Sequence, residues 1–114
     1  MDSLPIINRT YEVYKTIVET NHKLNKRWRF SLGVSTEDSI IELVQNLVMA
    51  KNAPKQLKGS YLIKASASLE VLKMKLRLYI EFSLVNETRV FQLQSKIMEI
   101  GKMLGGWLKS TYST

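Results

Sequence analysis

The sequence predicts an all-α fold, an antiparallel up-and-down four-helix bundle, and three observations predict it. Apolar residues recur with a helical period in four stretches. Only two prolines and five glycines punctuate the chain, most of them between those stretches or near their ends. The connections left over are short, which suits helices packed beside their sequence neighbours. At 114 residues the chain has the length of one domain. A domain this small buries a modest share of its surface, so completion of the core by oligomerisation is also expected. The rival at fold level is a helix-turn-helix DNA-binding domain, which would use shorter helices than the third and fourth here.

The first helix is expected over residues 7–24. Tyr11, Tyr14, Ile17, Val18, Asn21 and Leu24 mark its inner face, with Asn21 the one polar member. A basic and aromatic segment follows, Asn25-Lys26-Arg27-Trp28-Arg29-Phe30-Ser31-Leu32-Gly33, which Gly33 is expected to end. The second helix is expected over 36–52, starting at Ser35 or Thr36, because Ser35 and Asp38 have the spacing of a capping box. Ile40, Leu43, Val44, Leu47 and Ala50 line one side of it. Pro54 closes it, since the residue before a proline is pushed out of the α region.

The third helix is expected over 57–84, roughly 40 Å at about 1.5 Å per residue. It carries two apolar stripes. Leu62, Ala65, Leu69, Leu72, Leu76, Tyr79 and Ile80 form the first, which packs the core. Ala67, Val71, Met74 and Leu78 form a second on nearly the opposite side. That stripe reads either as a subunit interface or as an ordinary scatter of surface apolar groups. Asn86 is a good N-cap for the fourth helix, expected over 87–109. Val90, Leu93, Ile97, Ile100, Leu104, Trp107 and Leu108 form its apolar side. Gly101 and Gly105 lie four apart on one face, and each costs up to about 1 kcal/mol of helix propensity relative to Ala. Close approach of a neighbouring backbone would explain them, with Gly106 and Trp107 completing a tightly packed end. The alternative is that Gly105 and Gly106 fray the helix. Residues 110–114 are expected to be disordered.

Charge and composition bound the function. Seventeen Lys and Arg against ten Asp and Glu give a net charge of +7 and a pI near 9.7. That balance favours partners such as nucleic acid, an acidic protein surface or anionic lipid. The absence of cysteine excludes disulfides, thiolate catalysis and cysteine-ligated metals. The N-terminal residues lack a leader pattern and no apolar run is long enough to span a membrane, so a cytoplasmic location is expected. His22 is the only histidine and has no partner suggesting an acyl-transfer triad. Neither a pair of Glu-x-x-His motifs for a di-metal bundle nor a phosphate-cradling Gly-x-x-x-x-Gly-Lys-Ser/Thr run occurs. Glu37, Asp38 and Glu42 suit the dipole at the start of a helix and need no catalytic role. The chain is expected to be no enzyme and to need no metal or other cofactor.

Binding residues are easier to nominate. Lys23, Lys26, Arg27 and Arg29 place four cations in seven residues with no acid, interleaved with Trp28 and Phe30. Cations of this kind contact phosphates, and an aromatic ring can stack on an unpaired base. The alternative is that the charges face water while one or both rings fold over the bundle end. On the third helix Lys64, Lys73, Lys75 and Arg77 follow Lys51, Lys55 and Lys58, seven cations against one acid, Glu70. Repeated around an oligomer, that surface would bind phosphate with a steep salt dependence.

Three stretches resemble one known family. Leu69-Glu70-Val71-Leu72-Lys73-Met74-Lys75-Leu76-Arg77-Leu78 resembles its third helix. Ile100-Gly101-Lys102-Met103-Leu104-Gly105-Gly106-Trp107-Leu108-Lys109 resembles the close of its fourth. Lys26-Arg27-Trp28-Arg29-Phe30 and Leu32-Gly33 resemble its basic joint, although the family's Phe-Pro before the basic residue is Leu24-Asn25 here. The family is the accessory variability determinant of diversity-generating retroelements, related to bundle proteins encoded in intervening sequences of bacterial 23S ribosomal RNA genes. The resemblance implies a ring or barrel homopentamer with a basic surface. It implies partners in a reverse transcriptase, its template RNA and the DNA made from it, and a non-enzymatic part in mutagenic cDNA synthesis. By the same resemblance Lys73 and Arg77 lead the candidate contacts, with Lys26, Arg27 and Arg29 next; the charge of the third helix adds Lys58, Lys64 and Lys75 as candidates. Two other functions fit the bare sequence, a general nucleic-acid chaperone and a purely structural oligomer.

Overall fold

A computed structural model describes residues 5–113. Met1–Leu4, which belong to the stretch read above for a leader pattern, and Thr114, the last residue of the expected disordered tail, lie outside the described residues. Four long helices pack into a rod of 48 × 23 × 22 Å. Helix α1 is Pro5–Asn21. Helix α2 is built of an α turn at Lys26–Trp28, a π-helical segment at Arg29–Gly33 and a regular helix at Val34–Asn52. Helix α3 is Lys55–Glu81 and α4 is Glu87–Tyr112. Each helix packs on the next, and α4 closes back on α1.

Side-chain contacts fix the antiparallel sense. Near one end, Lys75 on the C-terminal half of α3 reaches Ser35 and Ser39 near the start of the regular part of α2. Near the other, Lys58 at the start of α3 donates to the carbonyls of Ala50 and Lys51 at the end of α2, at 2.7 and 3.0 Å. Arg9 on α1 pairs with Glu99 on α4. Arg89 on α4 donates to the Thr20 hydroxyl of α1 at 2.9 Å.

The core is the set of inward faces that the 3.6-residue period places together. Ile40, Leu43 and Leu47 of α2 meet Leu62, Leu69, Leu72 and Leu76 of α3, and Val90, Leu93, Ile97, Ile100 and Leu104 of α4. On α1 the buried face is rotated from the expected one. Ile6, Thr10, Val13, Ile17, Thr20 and Asn21 point inward, while Tyr11 is exposed. The threonines can be buried because each hydroxyl donates to the carbonyl four residues back, at 2.7 Å. The tyrosine keeps its hydroxyl in water.

Helix ends also differ from expectation: α1 stops at Asn21 and not at Leu24, and α3 stops at Glu81 and not at residue 84. The second helix does not start at a Ser35–Asp38 capping box, and Gly33 does not end the basic segment. The backbone stays helical through Gly33, at φ −58° and ψ −53°. Asn25 is the N-cap, its side chain accepting from the Trp28 N–H. Residues turned toward the bundle recur at Trp28, Leu32, Thr36 and Ile40. Such four-residue steps advance about 40° beyond a 3.6-residue turn each time. The wider π turn takes up that advance and keeps the row on one side. At the far end α4 does not stop near Lys109. It continues to Tyr112, whose ring lies over Gly59 of α3 where any Cβ would collide with it, so Ser110–Tyr112 are helical and not disordered.

Candidate functional site

One end of the bundle gathers the basic and aromatic residues of the joint between α1 and α2. The first turn of α2 raises Lys26 and Arg27 into solvent. Trp28 turns down and stacks on Phe82, just past the end of α3, with ring centroids 5.0 Å apart and planes at 29°. The Arg27 guanidinium lies 5.5 Å from the Trp28 ring centre and that of Arg29 lies 5.4 Å from Phe30. Phe30 itself stays 68 % exposed. The two rings of the joint therefore divide their roles, one closing the bundle end and one open to solvent. Phe82 was not nominated from the sequence, because its place beside Trp28 depends on how α3 returns to this end.

Beneath these rings lies the most polar part of the interior. The Asn21 amide donates to the Gly33 carbonyl at 2.9 Å and to the Glu37 carboxylate at 2.8 Å. Its own oxygen accepts from the Tyr79 hydroxyl at 2.5 Å. Asn21 thus uses both faces of its amide to tie α1 to α2 and α3. Gly33 makes room for this, since a Cβ there would stand 3.3 Å from Asn21 Cγ and from the Trp28 carbonyl. Burial pushes the Tyr79 hydroxyl above its ordinary pKa of 10.0, hydrogen bonds to Thr36 and Asn21 pull the other way, and the nearby Glu37 adds to the rise.

The basic residues of α3 separate into tethered and free. Lys75 donates to the Ser35 carbonyl at 3.0 Å and the Ser39 hydroxyl at 2.6 Å, fixing α3 to α2. Lys58 is held by the last carbonyls of α2, where a cation also suits the helix dipole. Lys73 pairs with Glu70 at 3.2 Å, a half-exposed contact of the kind worth little. Lys64 reaches over the Tyr61 ring at 5.5 Å. Arg77 is exposed and lines a shallow apolar groove with Val71, Met74 and Leu78, the second stripe of α3.

The glycines of α4 are also distinguished by position. A Cβ on Gly101 would stand 3.5 Å from Leu69 Cδ2 across the α3–α4 contact, an ordinary van der Waals distance. A Cβ on Gly105 or Gly106 would meet nothing within 4 Å, so the close approach expected there is not made within the subunit. Trp107 packs partly against the core.

Among the described residues, no group of three or more His, Asp or Glu could hold a metal ion. No described helix is long and apolar enough to cross a membrane. The fold and its surface define a class, a basic all-α four-helix bundle. The chain belongs to the bAvd-like family, whose model matches residues 4–111. That membership supports a non-enzymatic, accessory function in general terms. No curated protein matches the sequence.

Proposed function

We propose that this protein is a non-enzymatic accessory factor of a diversity-generating retroelement, binding the reverse transcriptase and its template RNA to support mutagenic cDNA synthesis. Family membership supports the accessory role. The observation that carries the nucleic-acid half is the joint end, where Lys26 and Arg27 stand in solvent beside an open aromatic ring and neither is ion-paired among the described residues. Cations free to choose a partner are the ones phosphates can recruit, and each neutralised phosphate adds to the salt dependence of binding. Arg77 is a corresponding exposed cation on α3, as are Lys55 and Lys64. Lys75 and Lys58 contribute charge from fixed positions, and Lys73 can exchange Glu70 for a stronger partner. In this reading the second stripe of α3 joins copies of the chain into the ring or barrel that the family resemblance implies.

Reconstitution with the reverse transcriptase and template RNA tests the proposal. The protein is expected to co-elute with the enzyme and to raise cDNA yield. Reversing Lys26 and Arg27 to Glu is expected to weaken RNA binding and reduce its salt slope, while reversing Lys73 and Arg77 to Glu is expected to block synthesis without unfolding the bundle. Normal synthesis by the second variant would remove α3 from the contact surface. RNA binding unaffected by the presence of the enzyme, together with no gain in cDNA, would favour a general nucleic-acid chaperone instead.

A further inference from the structure

We infer that the cleft beside the π-helical segment of α2 holds a single unpaired base of a bound RNA strand, stacked on Phe30. This rests on the proposed RNA-binding role and adds a specific site to it. The cleft is lined by Val18 and Asn21 of α1, by His22 just past its end, and by Arg29, Phe30, Val34 and Glu37 of α2. Its volume of about 220 Å³ is room for more than a single water. It also falls below the ~300–1,000 Å³ of small-molecule pockets, which leaves the scale of one planar ring system.

The lining favours a base over a phosphate. Glu37 contributes a carboxylate, held in place by the Asn21 amide at 2.8 Å, and a carboxylate repels a phosphate at close range. The same group accepts hydrogen bonds from an exocyclic amine, the pairing that glutamate makes with cytosine N4. Val18 and Val34 supply apolar walls, and Phe30 supplies a face already flanked by the Arg29 guanidinium. The phosphates have a separate place. Lys26 precedes Phe30 by four residues, so both stand on one side of the helix, with Lys26 in solvent. A strand lying over Lys26 and Arg27 can therefore turn one base inward. The π turn matters because it lies under Arg29 and Phe30 and sets where both emerge.

The charged lining favours RNA over an apolar protein segment as the occupant. The cleft carries a carboxylate, a guanidinium and an imidazole among its lining groups, and Lys26 and Arg27 stand in solvent just before Arg29 and Phe30.

The test uses fluorescence anisotropy of labelled single-stranded oligo(C) and oligo(U) with the full chain at low salt. Phe30 is exposed, so its variants are expected to keep the wild-type circular dichroism and unfolding midpoint. Phe30→Ala and Phe30→Leu are expected to weaken oligo(C) binding by about 5- to 150-fold, the range of one lost base stack, while Phe30→Trp retains it. Wild type is expected to prefer oligo(C) to oligo(U), and Glu37→Gln to erase that preference. Binding by Phe30→Leu as tight as wild type would overturn the base site while leaving the RNA-binding role standing. Failure of the wild-type chain to bind either strand at low salt would overturn both.

Discussion

At the residue scale, Asn21 governs the interior of the joint end. It is buried, its amide is used on both sides, and it connects three helices. Replacing it with Ala removes these bonds and leaves the Gly33 carbonyl and the Tyr79 hydroxyl short of a partner. A buried polar group deprived of its partner costs about 1–3 kcal/mol. Asn21→Ala is therefore expected to lower stability by about 2–4 kcal/mol, read as a shift in the urea midpoint. Tyr79→Phe is expected to cost less, because it removes one polar group entirely and strands only half of another. Tyr79 also gives a pH signature. Its pKa is raised in the folded chain, so between the unfolded and folded values the native state holds more protons. Its contribution is complete below the ordinary value of 10.0 and is lost as pH rises beyond it. Compared with Tyr79→Phe, wild type should lose stability more steeply above that pH. Parallel curves for the two proteins would show that Tyr79 ionisation is not linked to unfolding.

At the element scale, the turn between α3 and α4 and the end of α4 each hold a residue at odds with its backbone. Ser83 has φ 52°, the left-handed region that glycine enters without steric cost. It is exposed, so Ser83→Gly is expected to stabilise the chain by about 1 kcal/mol. Gly105 has the reverse problem, a helical glycine with open space where a Cβ would stand. Gly105→Ala is expected to stabilise the subunit by up to about 1 kcal/mol in thermal unfolding. If a second copy of the chain approaches that glycine closely, the same variant will instead lower the native mass. Legibility from sequence followed the same division. Periodicity revealed the four helices and the inward rows of α2, α3 and α4, because one residue type repeated at one spacing. It misplaced the inner face of α1, where threonine hydroxyls satisfied within the helix replace apolar side chains. It stopped at Gly33 because a lone glycine after a basic run looks like punctuation. There the glycine serves the Asn21 contact, and the four-residue rhythm from Trp28 to Ile40 was the available sign of a wider turn. The cations of the site were visible as residues, but which of them are tethered was not. That depends on α2 and α3 lying side by side, which brings Lys75 to Ser35 and Lys58 to Ala50.

At the scale of the whole molecule, the outer side of α3 presents an uncovered apolar row. Met74 is 61 % and Val71 is 44 % exposed. Ala67 is exposed as well, Leu78 is half-buried, and Ile63 extends the row by another turn. Single exposed apolar residues are ordinary on a protein surface, but a row at helical spacing along one helix is a contiguous patch. Interaction between copies would cover it, and would bring the cations of several α3 helices into one field, steepening the response of RNA binding to salt. The proposed assembly therefore makes a joint prediction. Val71→Glu with Met74→Glu is expected to reduce the native mass measured by light scattering while helix content stays at the wild-type level. Neither side chain belongs to the core, so exposed substitutions here should change subunit stability by only about 0.5 kcal/mol each. RNA affinity should fall with the mass, although both substitutions leave Lys26, Arg27 and Phe30 untouched, because fewer linked sites then meet each strand. A wild-type particle that already has the 13.2 kDa mass of one chain would reduce the row to surface scatter. A variant that keeps the full mass would move the interface to another face, and Gly105 and Gly106 on α4 would be the next place to probe.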